Sequence, residues 1–379
     1  MKLTKFFAYC MVAFLPAFAS CSSDDDPNGG DGGNGTITLD KLTIVTDKTF
    51  VESDGQDVAT FKVYTPEGKD VTAEAKFFMN DAAYANNTFS SSEEGEFEFM
   101  ASYGGELTNN TVTIKALSGT LQLPADPNPS ADNFRRRVMG VQFTSTYCSF
   151  CPYVISAIHE YENRNNDVVF TALHSNMTSV DPMTCKGSLA VKNKYMISKL
   201  PSLMFNLDKK NLSTSETTAS SIRSTVEGLM GTSSKCGISV VTEAQDGKGT
   251  VKVQANIKTS ARGIYKVGVW LLEDGIVADQ SNSTGIDFSE QGIDINTHNN
   301  AVRGINATIA DESKPVADVP GVDMVIDGNL EYLYEFNLSE LKVDDLSKCH
   351  VVVFVTDANG IVDNVVNCPV NGNVPFEYK

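Results

Sequence analysis

The sequence predicts a multidomain chain that joins β domains to one α/β domain. Three observations predict it. Short β-rich runs separated by polar turns fill residues 36–118. Strand and helix patterns alternate over 134–232. Strand patterns return from 233 to the end. A length of 379 residues fits two or three domains at about 100–200 residues each. With 41 % hydrophobic and 21 % charged residues, the chain has enough apolar material for cores and is not wholly disordered. A formal net charge of −18 repels phosphate backbones and argues against nucleic acid as a partner.

The first segment is an address. Lys2 and Lys5 precede an apolar stretch from 6 to 19, and small residues lead into Cys21. This is a secretory signal over 1–20. Phe18-Ala19-Ser20-Cys21 resembles a bacterial lipobox, with Phe in place of the usual Leu. The resemblance implies lipid on Cys21. The alternative is an ordinary cleaved signal with an incidental Cys. Residues 21–35 are acidic and Gly-rich, unable to bury anything, and read as a flexible tether. Cys21 followed by Ser-Ser-Asp-Asp-Asp resembles the surface-export signal of Bacteroidota lipoproteins. It implies an outer-membrane lipoprotein, surface-exposed, with its lipid anchor in that membrane.

Residues 36–118 carry alternating runs at 39–45, 58–64, 77–79, 95–102 and 111–116, parted by turns such as Glu52-Ser53-Asp54-Gly55. Such spacing predicts a small β-sandwich and resembles bacterial immunoglobulin-like modules. Three prolines in 123–130 mark 119–133 as a stiff linker. Over 134–232 the order is strand 138–143, helix 148–164, strand 168–173, helix 189–197, strand 202–205 and helix 217–229. That alternation implies an α/β layer with partly parallel strands. A C-terminal sandwich over 233–379 is read from strands at 237–242, 250–257, 265–272 and 330–337 and a hairpin at 349–368. Polar residues crowd 279–325 and predict long loops.

There are eight cysteines. Cys10 leaves with the signal and Cys21 takes lipid. An exported chain keeps disulfides. Cys148 and Cys151 form a local CxxC, and the remaining four allow three pairings. A four-residue turn at 357–360 sets 356 opposite 361, and the same register sets Cys349 opposite Cys368. Cys185–Cys236 then follows by elimination.

The chemistry concentrates in Tyr147-Cys148-Ser149-Phe150-Cys151-Pro152, between a buried strand and a helix. A thiol at a helix N-terminus faces unpaired N–H groups and the positive end of the macrodipole, which stabilise thiolate for disulfide exchange. Pro152 is tolerated there because the first turn has no use for its N–H. These residues, with Leu200-Pro201-Ser202 before a strand, resemble the thioredoxin superfamily over about 134–232. The resemblance implies Cys148 as nucleophile, Cys151 as resolving thiol, and a cis Pro201 shaping the groove for an extended substrate. Gln142 stands where that superfamily keeps a buried acid, and Tyr147 where it keeps Trp. His159, His174, His298 and His350 show no metal spacing, no second CxxC exists for zinc, and no cofactor motif appears.

The whole layout resembles the twenty-eight-kilodalton outer-membrane-protein family of Bacteroidota over about 134–379. Val267-Gly-Val-Trp-Leu-Leu-Glu-Asp-Gly275 and His298-Asn-Asn-Ala-Val-Arg303 carry that resemblance. Two functions stand side by side. One is thiol–disulfide exchange with envelope or extracellular proteins. The other is a non-catalytic surface-binding or adhesion lipoprotein, with Cys148–Cys151 a structural disulfide. Exposure of the Cys148 sulfur separates them.

Overall fold

A computed structural model describes residues 40–214, 217–231, 233–245, 249–309, 316 and 318–379. The signal, Cys21 and the tether lie outside the described residues. No helix among the described residues is long and apolar enough to cross a membrane.

The N-terminal layer is β throughout. Strand β1 (Thr43–Thr46) pairs antiparallel with β3 (Ala59–Tyr64). A second sheet runs β2 (Phe50–Glu52), β6 (Val112–Leu117), β5 (Gly95–Tyr103), β4 (Lys76–Met79). Alternation does the sorting: in β3, Ala59, Phe61 and Val63 turn inward while Lys62 reaches solvent. Phe61 meets Phe99 at 4.4 Å between ring centroids. The linker does not hang free. Lys252 Nζ donates to the Gly119 carbonyl at 2.7 Å, and the amides of Gln254 and Leu121 bond each other.

Next come β7 (Val138–Thr144), α1 (Pro152–Glu162), β8 (Val168–His174), α2 (Lys186–Lys194), β9 (Ser202–Phe205), β10 (Leu212–Thr214) and α3 (Ala219–Leu229). β7 is buried on both faces and reads as a near-continuous apolar run, as an interior strand of a covered sheet must. It pairs parallel with β8 and antiparallel with β9. Gly140 in β7 lets the Phe170 ring pass, since a Cβ there would sit 2.5 Å from it. The helix expected from 148 starts instead at Pro152. Two turns, Cys148 N–H to Ser145 O and Cys151 N–H to Cys148 O, precede it. The helix expected at 217–229 starts at Ala219 because Thr218 and Ser221 close a capping box.

The strands that follow include β11 (Cys236–Gln245), β12 (Thr250–Thr259), β13 (Gly263–Glu273), β14 (Ala301–Ile305), β15 (Val322–Ile326), β16 (Asn329–Asn337), β17 (Cys349–Thr356), β18 (Val362–Pro369) and β19 (Asn373–Val374). One sheet crosses the boundary expected at 232–233. Its order is β10-β9-β7-β8-β14-β13-β17-β18, with β15 also on β13. β14 joins the two halves by lying parallel to β8, Ala301 beside Ala172. A second sheet, β16-β12-β11-β19, covers one face of the β13–β18 half. The opposite face forms a core shared by both halves, with Phe143, Leu173, Trp270 and Phe354 in it.

The structure corrects the expected cysteine bridges. Cys185, Cys236, Cys349 and Cys368 are free thiols. Val351, not Cys349, stands opposite Cys368. The loop closes Asp357 N–H onto Ile361 O, placing Thr356 opposite Val362, and a bulge between Val355 and Thr356 adds one more step. The register therefore slips by two. Cys185 and Cys236 face different cores, so elimination fails too. Burial pushes the Cys349 thiol up to about 12 and the Cys368 thiol up to about 11, which makes them packing groups and not nucleophiles.

Candidate functional site

Cys148 and Cys151 are joined as a disulfide in the turn before α1. The turn lies at the C-terminal end of β7, where ligands of α/β sheets gather. Leu200–Pro201 is a cis peptide. It lies at the same end, because Ser202 pairs with Phe143. Tyr147 and Phe150, 41 % and 50 % exposed, flank the thiols. Cys148 itself is only 3 % exposed and Cys151 is fully buried.

What covers them was read from the sequence only as polar loop. Ser281 N–H donates to Thr146 O at 2.8 Å, and Ser283 N–H to Ser149 O at 2.9 Å. The Gln280 amide nitrogen faces the carbonyls of Ser145, Thr146 and Cys148 at 3.2, 3.1 and 2.9 Å. Tyr153 donates its hydroxyl to Thr284 O. Residues 280–284 thus form a strap over the CxxC turn.

A buried polar cluster lies beneath the turn. Asp181 is fully buried and accepts from Thr146 N–H at 2.7 Å, Thr146 Oγ1 at 3.1 Å and Met183 N–H at 2.8 Å. His174 Nδ1 stands 3.2 Å from the same carboxylate. Burial opposes ionisation of Asp181. The His174 contact and the two N–H groups outweigh it and hold the carboxyl at about 2. An ionised carboxylate only accepts, so Nδ1 is the protonated nitrogen of His174. The His298 ring meets His174 edge-on at 5.4 Å and bonds Ala278 O through Nε2 at 3.1 Å. Between α1 and the sheet lies a cavity of about 80 Å³. Gln142 Nε2 and Thr144 Oγ1, both on its lining, have no protein partner. No group of metal-ligating side chains forms among the described residues.

His298 gives a pH prediction. Burial, then the neighbouring His174, push it from 6.5 down to about 4. The unfolded chain therefore takes up this proton first. Stability is full above pH 6.5 and falls as pH drops to 4, by about 3 kcal/mol at the limit. In His298→Asn that share of the acid sensitivity should vanish when urea midpoints are compared at pH 7 and pH 4.5. An unchanged difference between the two midpoints would refute it.

Cys148, Cys151 and Pro201 were legible as a group, and the structure brings them to one end of the sheet. Asp181 and Gln280 carried no local motif, His298 was singled out only as the start of a segment resembling a family, and topology alone brings the three to the turn.

A family model described as outer membrane protein Omp28 matches residues 188–374. The match begins beyond the CxxC turn. No curated protein matches the chain. Among solved structures, HBP35 of Porphyromonas gingivalis is similar in fold, with a TM-score of 0.50 at 16 % identity, covering 65 % of this chain and 78 % of that one. A domain of the outer membrane lipoprotein Omp28 from Porphyromonas gingivalis shares 23 % identity over 36 % of this chain and 89 % of its own, with a TM-score of 0.23.

Proposed function

Over residues 188–374 this chain belongs to the Omp28 outer membrane protein family, and from that premise we propose that it exchanges thiols and disulfides with other envelope proteins. The protein is an outer-membrane lipoprotein. Cys21 carries the lipid in this reading, and the protein is exposed at the cell surface. The carrying observation is one arrangement: the Cys148–Cys151 disulfide before α1, with cis Pro201 at the same end of the sheet. The strand order β10-β9-β7-β8, with β7 and β8 parallel, supports a thioredoxin-like reading of 134–232. Cys148 is the nucleophile and Cys151 the resolving thiol. Pro201 shapes the docking groove.

The burial of Cys148 under the strap supports the second reading, a binding or adhesion lipoprotein with a structural disulfide. Redox equilibrium against glutathione decides between them. An exchange protein settles at about −120 to −270 mV, and Cys151→Ser accumulates mixed disulfides with envelope proteins while Cys148→Ser accumulates none. A pair that opens only on unfolding would leave the structural bridge.

A further inference from the structure

The strap presents its donors to the CxxC turn as an extended polypeptide would. Ser281 and Ser283, two residues apart, point their N–H groups the same way, to Thr146 O and Ser149 O. Period-two donation is the pattern of a strand edge. Between strap and turn sits Gln280, 7 % exposed. Its amide nitrogen meets the carbonyls of Ser145, Thr146 and Cys148, and that of Ser281 at 3.2 Å. Four converging acceptors require a donor at their centre, which fixes the amide orientation. Gln280 Oε1, on the other side, is buried and has no hydrogen-bond partner. The strap is held from behind as well: Asn296 Oδ1 accepts from Gln280 N–H at 2.8 Å, and Ala278 O meets His298 Nε2. A segment tied down this way by main chain and one amide occupies a docking edge that would otherwise offer bare carbonyls beside Cys148.

We propose that residues 280–283 are a built-in pseudosubstrate, and that the Cys148–Cys151 pair reacts only with an extended partner segment able to displace them. This rests on the exchange function proposed above and adds its partner class: an unfolded or extended chain, offering N–H donors at alternate residues and a primary amide side chain. A folded surface cannot reproduce that contact. In the exchange, a thiolate of the partner's dithiol attacks one sulfur of the Cys148–Cys151 bond. That bond breaks and a mixed disulfide forms. The partner's second thiol then closes the partner's disulfide. Two electrons pass from the partner to the cysteine pair, and the partner's two thiol protons end on Cys148 and Cys151. The attack needs a line of approach to sulfur, and Cys148 is only 3 % exposed, with the strap bonded to its carbonyl and to the turn on either side of it.

The test uses the full mature chain. Reduction of Cys148–Cys151 by dithiothreitol is followed by thiol trapping and mass analysis in wild type, Gln280→Ala and Ser283→Pro. The last variant deletes one strap donor. Loss of strap bonds should raise the rate roughly 10-fold or more by enlarging the open population. Hydrogen exchange in wild type gives a second reading that needs no variant: the amides of Ser281 and Ser283 should exchange faster than those of β13. Equal reduction rates in all three proteins, or strap amides as slow as β13, would overturn the strap's role. Variants that reduce faster but pass no electrons to or from an unfolded dithiol protein would support the strap and remove the exchange function instead.

Discussion

Residues 134–232 expressed alone are expected not to fold, whereas 134–379 should unfold in one cooperative transition. The reason lies in the shared sheet and its shared core. Met139, Val141, Phe143 and Leu173 are fully buried, and the cluster that holds them also contains Trp270, Leu272, Val302, Val352, Phe354 and Val365. Ending the chain at 232 strips those partners away. Each large apolar side chain returned to water loses about 1.5–3 kcal/mol, so four lose about 6–12 kcal/mol. A whole domain has only about 5–15 kcal/mol to lose. Polar ties break as well. Arg136 pairs with Asp363 at 2.9 Å, Asn364 bonds both Arg137 N–H and Arg135 O, and Val362 N–H donates to Asn206 O. Circular dichroism during heating is the measurement. A sharp transition in the short fragment would mean that β11–β19 merely add to a self-sufficient layer.

That expectation departs from the sequence, which reads as separate modules at this point. The local signals were sound. An apolar run marks β7, the helices read from 148 and 217 form with starts at Pro152 and Ala219, and CxxC followed by Pro201 marks one end of the sheet. Each of these is settled within a few residues of itself. Joining β8 to β14 is settled by residues far apart in sequence, Ala172 and Ala301, and no periodicity announces it. The hairpin at 349–368 fails for a related reason. Both strands were legible, but a bulge and a longer loop shift the register by two, and a cysteine pairing tolerates no such shift. The segment 279–325 was read as long loops, but β14 lies within it and β15 begins there; the strap at 280–284 is loop, and that reading was silent about function. Its Gln280 works through backbone carbonyls, which any sequence provides.

Asp181→Ala should cost about 3–5 kcal/mol, the range for removing one partner of a buried charged pair. The size follows from what is left behind. Thr146 N–H, Thr146 Oγ1, Met183 N–H and His174 Nδ1 all point at this carboxylate, and both His174 and Asp181 are buried from solvent. Alanine leaves every one of those donors without its acceptor. The pH dependence identifies the cause. With its carboxyl held at about 2 against an ordinary 3.8, Asp181 contributes stability that is complete above pH 3.8 and lost as pH falls through 2. The gap between wild type and variant should therefore be widest near neutrality and narrow below pH 3.8, measured as urea midpoints. A gap that stays constant to pH 2 would assign the loss to packing alone. Thr146 is two residues before Cys148, so the damage should reach the reactive turn. Asp181→Asn keeps the shape but not the charge, and its single amide oxygen can still accept from Thr146 or from Met183, which donate to opposite carboxylate oxygens, but not from both. It should recover part of the stability while altering how fast the disulfide is reduced as pH changes. If both variants kept wild-type reduction rates across pH, Asp181 would be a fold residue that happens to lie beneath the thiols.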